Sequence, residues 1–195
     1  MTTTWRRTIA TAAGTGAPAS DQYLAEELLQ EALEQHWARV CRTLYHLVGD
    51  WSEAEDLAIE VFLRLHHHPP RDLERVSAWL YRVASNAGLN ALRARKRRQS
   101  YETAAGQWTL QQQDPIDPVT ELERRQDQAQ VRAVLAAMRP RQAQLLFLRY
   151  LGLSYAELAR VLEMAPGSVG TMLARAERAF ERRYRAVEDK DATPK

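Results

Sequence analysis

Ser154-Tyr155-Ala156-Glu157-Leu158-Ala159-Arg160-Val161-Leu162-Glu163-Met164-Ala165-Pro166-Gly167-Ser168-Val169-Gly170-Thr171-Met172-Leu173-Ala174-Arg175-Ala176 reads as a short helix, a three-residue break and a second helix. Ser154 and Glu157 have the spacing of a capping box, in which hydroxyl and carboxylate each satisfy a free backbone N–H at a helix start. Tyr155, Leu158, Ala159 and Leu162 then lead into a core. Glu163-Met164-Ala165 breaks the helix, and Pro166 opens the next, where its missing N–H costs nothing. Helix, short turn, helix is the pattern of a DNA-reading unit. In the second helix Val169, Leu173, Ala176 and Phe180 recur at helical spacing and face inward, leaving Ser168, Thr171, Arg175 and Arg178 on the opposite side. Short side chains near a helix start let the backbone approach a major groove, and arginines farther along suit phosphates or guanine edges. An ordinary helical hairpin with a solvated basic face also explains this segment.

Upstream, Thr120-Glu121-Leu122-Glu123 has capping-box spacing and opens a helix with Val131, Val134, Leu135 and Met138 on one side. Pro140 starts the next, which carries Leu145, Leu146 and Leu148 until Gly152 interrupts it. From Gln99 to Pro118 periodicity disappears, and Gly106, Gln111 to Gln113 and Asp114-Pro115-Ile116-Asp117-Pro118 read as a linker. That break predicts two domains, at residues 22–99 and 127–187, with an acidic linker over 100–126. In the first, Leu29, Leu33, Trp37, Val40, Leu44 and Leu47 mark one face of a helix over 22–48. Ser52 to Glu55 reads as another capping box, leading Ala54, Leu57, Ala58, Val61 and Leu65 inward until Pro69-Pro70 ends the helix. A third helix, from about Leu73 to Arg98, turns Val76, Leu80, Val83 and Ala87 inward. No segment reads as a strand, so the fold class is all-α.

The net charge of +2 conceals segregation. Between Asp21 and Phe62 ten acids face only Arg39 and Arg42, whereas from Leu63 to Gln99 Asp72 and Glu74 stand against many cations. An acidic, protein-facing surface followed by a basic one suggests two kinds of partner. The basic run Arg93, Arg95, Lys96, Arg97, Arg98 follows Trp79, Tyr81, Arg82, Asn86 and Asn90 on the same helix. Aromatics and amides beside cations suit unpaired bases and phosphates. A solvated helix end, with Trp79 packed into the core, is the plainer reading.

The single cysteine, Cys41, excludes an intramolecular disulfide and fits a buried core position in a reducing cytoplasm. Arg6-Arg7 precede a stretch too polar for a signal peptide, so residues 1–21 read as a disordered arm and 188–195 as a disordered tail. No apolar run approaches transmembrane length, which predicts no membrane insertion. His66-His67-His68 point around a helix circumference and cannot converge on one metal ion. With no glycine-rich phosphate loop and no spaced nucleophile and base, the reading is no enzyme, no cofactor, no metal and no small-molecule substrate.

Asp56-Leu57-Ala58-Ile59-Glu60-Val61-Phe62, Ala78-Trp79-Leu80-Tyr81-Arg82-Val83-Ala84-Ser85-Asn86, Pro140-Arg141-Gln142 and Leu153-Ser154-Tyr155-Ala156-Glu157-Leu158-Ala159 resemble, in order, the hallmark segments of the extracytoplasmic-function sigma factors of the sigma-70 superfamily. The resemblance implies a cytoplasmic protein whose partners are core RNA polymerase and promoter DNA, often regulated by an anti-sigma factor. Residues 25 to 99 resemble region 2. Its acidic second helix docks on the polymerase clamp, implying contacts from Glu53, Asp56, Leu57, Glu60 and Phe62. Trp79, Arg82, Asn86, Asn90, Arg93, Arg95, Lys96, Arg97 and Arg98 then correspond to the part that opens and reads the minus-10 element, by capturing unstacked bases without nucleotide hydrolysis. Residues 127 to 185 resemble region 4, reading the minus-35 element through Ser168, Thr171, Arg175 and Arg178, with Arg141 and Tyr155 on phosphates and an apolar side toward the flap of the second-largest subunit. The linker, with Asp114, Asp117, Glu121 and Glu123, corresponds to the segment threaded near the active site.

Three departures from the family pattern stand out: Ile59 replaces a usual glutamine, Gly170 and Met172 replace frequent cations, and Leu151-Gly152-Leu153 is one residue short. The competing readings are a helix-turn-helix regulator acting without core polymerase and a helical scaffold that binds only protein.

Overall fold

The structure, a computed structural model, describes residues 18–104 and 118–191. Of the expected arm over residues 1–21, linker over 100–126 and tail over 188–195, residues 1–17, 105–117 and 192–195 lie outside them, while residues 18–21, 100–104, 118–126 and 188–191 are helical. Among the described residues every regular element is helical.

Helix α1, Pro18–Val48, ends at Gly49, whose φ of +76° reverses the chain while its N–H donates to the Tyr45 carbonyl at 2.8 Å. Only glycine adopts that conformation without strain. Helix α2, Trp51–His67, starts on Asp50, whose carboxylate accepts from the Glu53 N–H at 2.7 Å. The cap is therefore Asp50 and not Ser52. The turn at Gly49 brings the carboxylate to the orphan N–H first, and Ser52 is already helical. A short 3₁₀ turn, Leu73–Arg75, capped by Asp72, leads into α3, Val76–Ala104. Helix α3 continues six residues past Arg98, into the stretch expected to be linker. The three helices enclose a core of Leu44, Ala58, Val61, Phe62, Leu65 and Leu80.

Helices α1 and α3 approach closely at Gly88, where a Cβ would stand 2.7 Å from Leu47 Cδ1 and 3.1 Å from Leu47 Cβ. The second contact cannot be relieved by rotating a side-chain tip. Gly88→Val should therefore destabilise the chain by about 1–3 kcal/mol through overpacking. Thermal unfolding measures this, and an unchanged midpoint would show that the helices can separate without loss.

The C-terminal unit begins with α4, Pro118–Ala137, which starts two residues before Thr120, so the expected cap lies inside the helix. Helix α5, Pro140–Tyr150, carries proline at its first position, and Gly152 turns the chain at φ +89°. Helix α6, Tyr155–Val161, has the expected capping box: Ser154 Oγ accepts from the Glu157 N–H at 3.3 Å, and the Ser154 N–H donates to Glu157 Oε2 at 2.7 Å. A 3₁₀ turn, Pro166–Ser168, precedes α7, Val169–Asp191. Leu145, Leu148, Leu158, Val169 and Leu173 form the core of this unit.

The two units share a core as well. Leu47, Leu89 and Leu92 of the N-terminal bundle join Val134, Leu135, Met138, Phe147 and Ala176 in one buried cluster. Ala78 and Tyr81 of α3 lie against the core of the helix-turn-helix. Gln144 Nε2 donates to the Arg82 carbonyl at 2.9 Å and to Ser85 Oγ at 2.8 Å. Arg132 lies over Gly49, where a Cβ would meet its guanidinium carbon at 2.5 Å, at the carbonyl end of α1 that attracts cations. Burying each leucine contributes about 1.5–3 kcal/mol. The apolar contact thus outweighs the polar ones, which orient it.

Candidate nucleic-acid interface

In the helix-turn-helix, Val169, Leu173 and Ala176 are buried, while Ser168, Thr171, Arg175 and Arg178 are exposed together on the opposite side of α7 and its leading turn. Phe180 is half-buried, and Ala179 occupies the buried position beside it. The turn is held by Met164 N–H donating to the Ala159 carbonyl at 3.0 Å and by Glu163 at φ +49°, a left-handed conformation unusual outside glycine. The hydroxyl of Ser154 holds the Glu157 carboxyl below the usual carboxylate range, so the cap remains charged at neutral pH. Tyr155 is exposed, with the Arg149 guanidinium 5.6 Å from its ring centroid. Gly170 has ordinary space beside it, the nearest atom to a Cβ being Tyr155 Cε2 at 3.6 Å, and Met172 packs partly on the core.

Arg141 was expected on a phosphate. Its Nη2 instead donates to the Leu162 carbonyl at 2.7 Å, satisfying an acceptor at the end of α6 and bracing the turn. Arg141 as a whole residue remains exposed.

The residues expected along α3 do not form one uniform surface. Trp79 packs partly into the N-terminal core. Arg82 is ion-paired with Glu163 of the helix-turn-helix, and that hydrogen bond and the guanidinium charge hold the Glu163 carboxyl below its usual range. Asn86 and Asn90 are exposed, and Asn90 Oδ1 accepts from Arg93 Nη1 at 3.1 Å. Burial lowers the pKa of Arg93, which is half-buried. Arg95 donates to the Val48 carbonyl at 3.1 Å and pairs with Glu53, tying α3 to the junction of α1 and α2. Lys96, Arg97 and Arg98 are exposed at the end of the cationic run. Glu53 and Arg95 thus serve each other, because α3 crosses the start of α2, and neither is an unengaged surface charge.

On α2, Asp56 and Glu60 are exposed and Leu57 is half-buried. Phe62 is only 3% exposed, its ring centroid 5.7 Å from that of Trp37, so it belongs to the core and not to a docking face. The helix turns Phe62 inward beside Val61 and leaves Ile59 and Leu63 outside, each 49% exposed. Trp51, Ile59 and Leu63 lie at multiples of four along α2, among Glu55, Asp56 and Glu60. Sequence reasoning missed this stripe. Its signal is Ile59 and Leu63, one turn apart on the side away from Ala54, Ala58, Val61 and Leu65.

Among the described residues no group of His, Cys, Asp and Glu could hold a metal ion, and no helix is long and apolar enough to cross a membrane.

The family description Sigma-70 region 2 matches residues 33–98, and Sigma-70, region 4 matches residues 128–180. The chain is 33% identical to the ECF RNA polymerase sigma factor SigL of Mycobacterium tuberculosis, covering 80% of this chain and 89% of SigL. It is also 33% identical to SigJ of the same species over 76% of this chain and 48% of SigJ, so it spans about half the length of that relative. With SigE of Mycolicibacterium smegmatis it shares 37% identity over 34% of this chain and 26% of SigE. In fold it is similar to CnrH, solved in complex with the cytosolic domain of CnrY, with a TM-score of 0.50 at 18% identity, covering 88% of this chain and 99% of that one. Two matched regions in sigma order and a relative aligned over most of both lengths place the chain in one family: it belongs to the extracytoplasmic-function sigma factors of the sigma-70 superfamily.

Proposed function

We propose that this chain binds core RNA polymerase in the cytoplasm and directs promoter-specific initiation, catalysing no reaction itself. The observation that carries the reading is the division of surfaces within one chain. An acidic α2 exposes the apolar stripe of Ile59 and Leu63 for a protein partner, while α3 and α7 present cations and small polar side chains for nucleic acid. Asp56, Glu60, Ile59 and Leu63, with Leu57 beneath them, form the polymerase-facing set. Trp79, Arg82, Asn86, Asn90, Arg93, Lys96, Arg97 and Arg98 serve the minus-10 element, and Ser168, Thr171, Arg175 and Arg178, with Tyr155, serve the minus-35 element. An anti-sigma factor is the regulatory partner this reading implies.

The test is transcription from promoter DNA by core polymerase with and without the chain. Initiation should depend on it. If initiation is independent of the chain and the chain alone binds duplex tightly, a regulator acting without polymerase is the better reading. For the duplex face, Arg175→Ala should weaken minus-35 binding by about 1–3 kcal/mol if the guanidinium reads a base edge. Equilibrium binding to the duplex measures this, and an unchanged affinity removes Arg175 from the site.

A further inference from the structure

We propose that Tyr101 is a base-stacking residue, which extends the single-strand surface of α3 by one helical turn beyond the cationic run. The proposal rests on the minus-10 reading of α3 given above. Asn86, Asn90, Arg93, Arg97 and Tyr101 follow one another at steps of three or four residues, so they lie along one stripe of the helix. At about 1.5 Å per residue the stripe runs for about 22 Å. Asn86, Asn90, Arg97 and Tyr101 are exposed, and Arg93 is half-buried. The region 2 match ends at residue 98, whereas α3 continues to Ala104. No proline or glycine stands between Gln99 and Ala104, and the first breaker is Gly106, so nothing local ends the helix with the cations. The continuation carries Tyr101 outward in phase with Arg97.

Tyr101 is 76% exposed, more than any other described tyrosine, tryptophan or phenylalanine, so most of its ring is open to a ligand. The two residue types divide the work. A guanidinium on the stripe pairs with a phosphate whatever base follows, and an aromatic ring takes the π-face of any base. Arg97 lies one turn before Tyr101, about 6 Å along the helix axis. A strand held by its phosphate at Arg97 therefore brings a neighbouring base within reach of the ring. The ligand this arrangement fits is an unpaired strand, because a duplex keeps its base faces inside the stack and offers the ring none. Tyr150 is the natural comparison. It is 74% exposed at the end of α5, but it lies on another helix, with its ring centroid 6.0 Å from that of His46.

The experiment measures the affinity of the full chain for two single strands of about 16 nucleotides, one of mixed sequence and one abasic throughout, which keeps the phosphates and lacks the bases. Tyr101→Ala should bind the mixed strand about tenfold more weakly, the loss of one stacked base, and the abasic strand as wild type does. Alanine favours helix, so this variant keeps the end of α3 folded. Tyr101→Phe keeps the ring and should bind both strands as wild type does. Arg97→Gln should weaken both, since a phosphate contact ignores the base, and Tyr150→Ala should weaken neither. Unchanged affinity of Tyr101→Ala for the mixed strand overturns the proposal, as does an equal loss on both strands. The same loss in Tyr101→Phe also overturns it, by making the hydroxyl the contact, and so does an equal loss in Tyr150→Ala. A wild type that binds neither strand removes the minus-10 reading of α3 and the proposal with it. Dependence on Arg97 without dependence on Tyr101 removes the proposal alone.

Discussion

Phe62→Ala should destabilise the N-terminal bundle by about 3–5 kcal/mol, the cost of deleting a buried aromatic ring. Phe62 is almost fully buried and its ring packs against Trp37, so the substitution removes both the apolar burial and the aromatic pair. The pair adds about 0.5–1.5 kcal/mol beyond area. Against a total stability of about 5–15 kcal/mol for a typical domain, this is a large fraction. The midpoint of denaturant unfolding should shift strongly with little change in slope. Polymerase binding would fall too, but only in proportion to the unfolded fraction. A variant that stays stable yet loses polymerase would return Phe62 to the docking surface.

Ile59→Ala together with Leu63→Ala should give the opposite pattern. Both side chains are half-exposed, and alanine favours helix, so stability should change by no more than about 0.5 kcal/mol. Affinity for core polymerase should fall by about 30-fold or more, the loss expected when apolar anchors at the centre of an interface are truncated, about 2 kcal/mol or above. Competition for core polymerase against the wild-type chain measures it. Asp56→Asn and Glu60→Gln should mainly change the salt dependence and association rate, because rim charges steer more than they anchor. If the double alanine variant competes as well as wild type, this face of α2 is not the docking surface.

The contrast between Phe62 and Ile59 shows where the sequence was ambiguous. Periodicity identifies an apolar helix, but α2 carries large apolar residues around much of its circumference. Which of them turn inward depends on where α1 and α3 press against it. The helix start was ambiguous for the same kind of reason: Asp50 and Ser52 are both competent caps, and the positive φ of Gly49 decides between them. By contrast, the Ser154–Glu157 box and the Val169, Leu173, Ala176 stripe were legible, because capping and amphipathic spacing act within a few residues.

Local chemistry in the sequence by itself determined the all-α class, the helix-turn-helix and its outward set of Ser168, Thr171, Arg175 and Arg178, and the reversal from acidic to basic surface. These follow from interactions between residues three or four apart, which any correct alignment of helix faces must satisfy. Only the tertiary structure decided that Arg95 serves Glu53, that Arg141 braces the end of α6, that Arg82 pairs with Glu163, and that Leu47, Leu89 and Leu92 are buried against the other unit. A cation's sequence neighbours do not say which distant carboxylate or carbonyl will meet it. That partner is set by how the apolar faces of whole helices pack, since burying them contributes more than any single exposed ion pair.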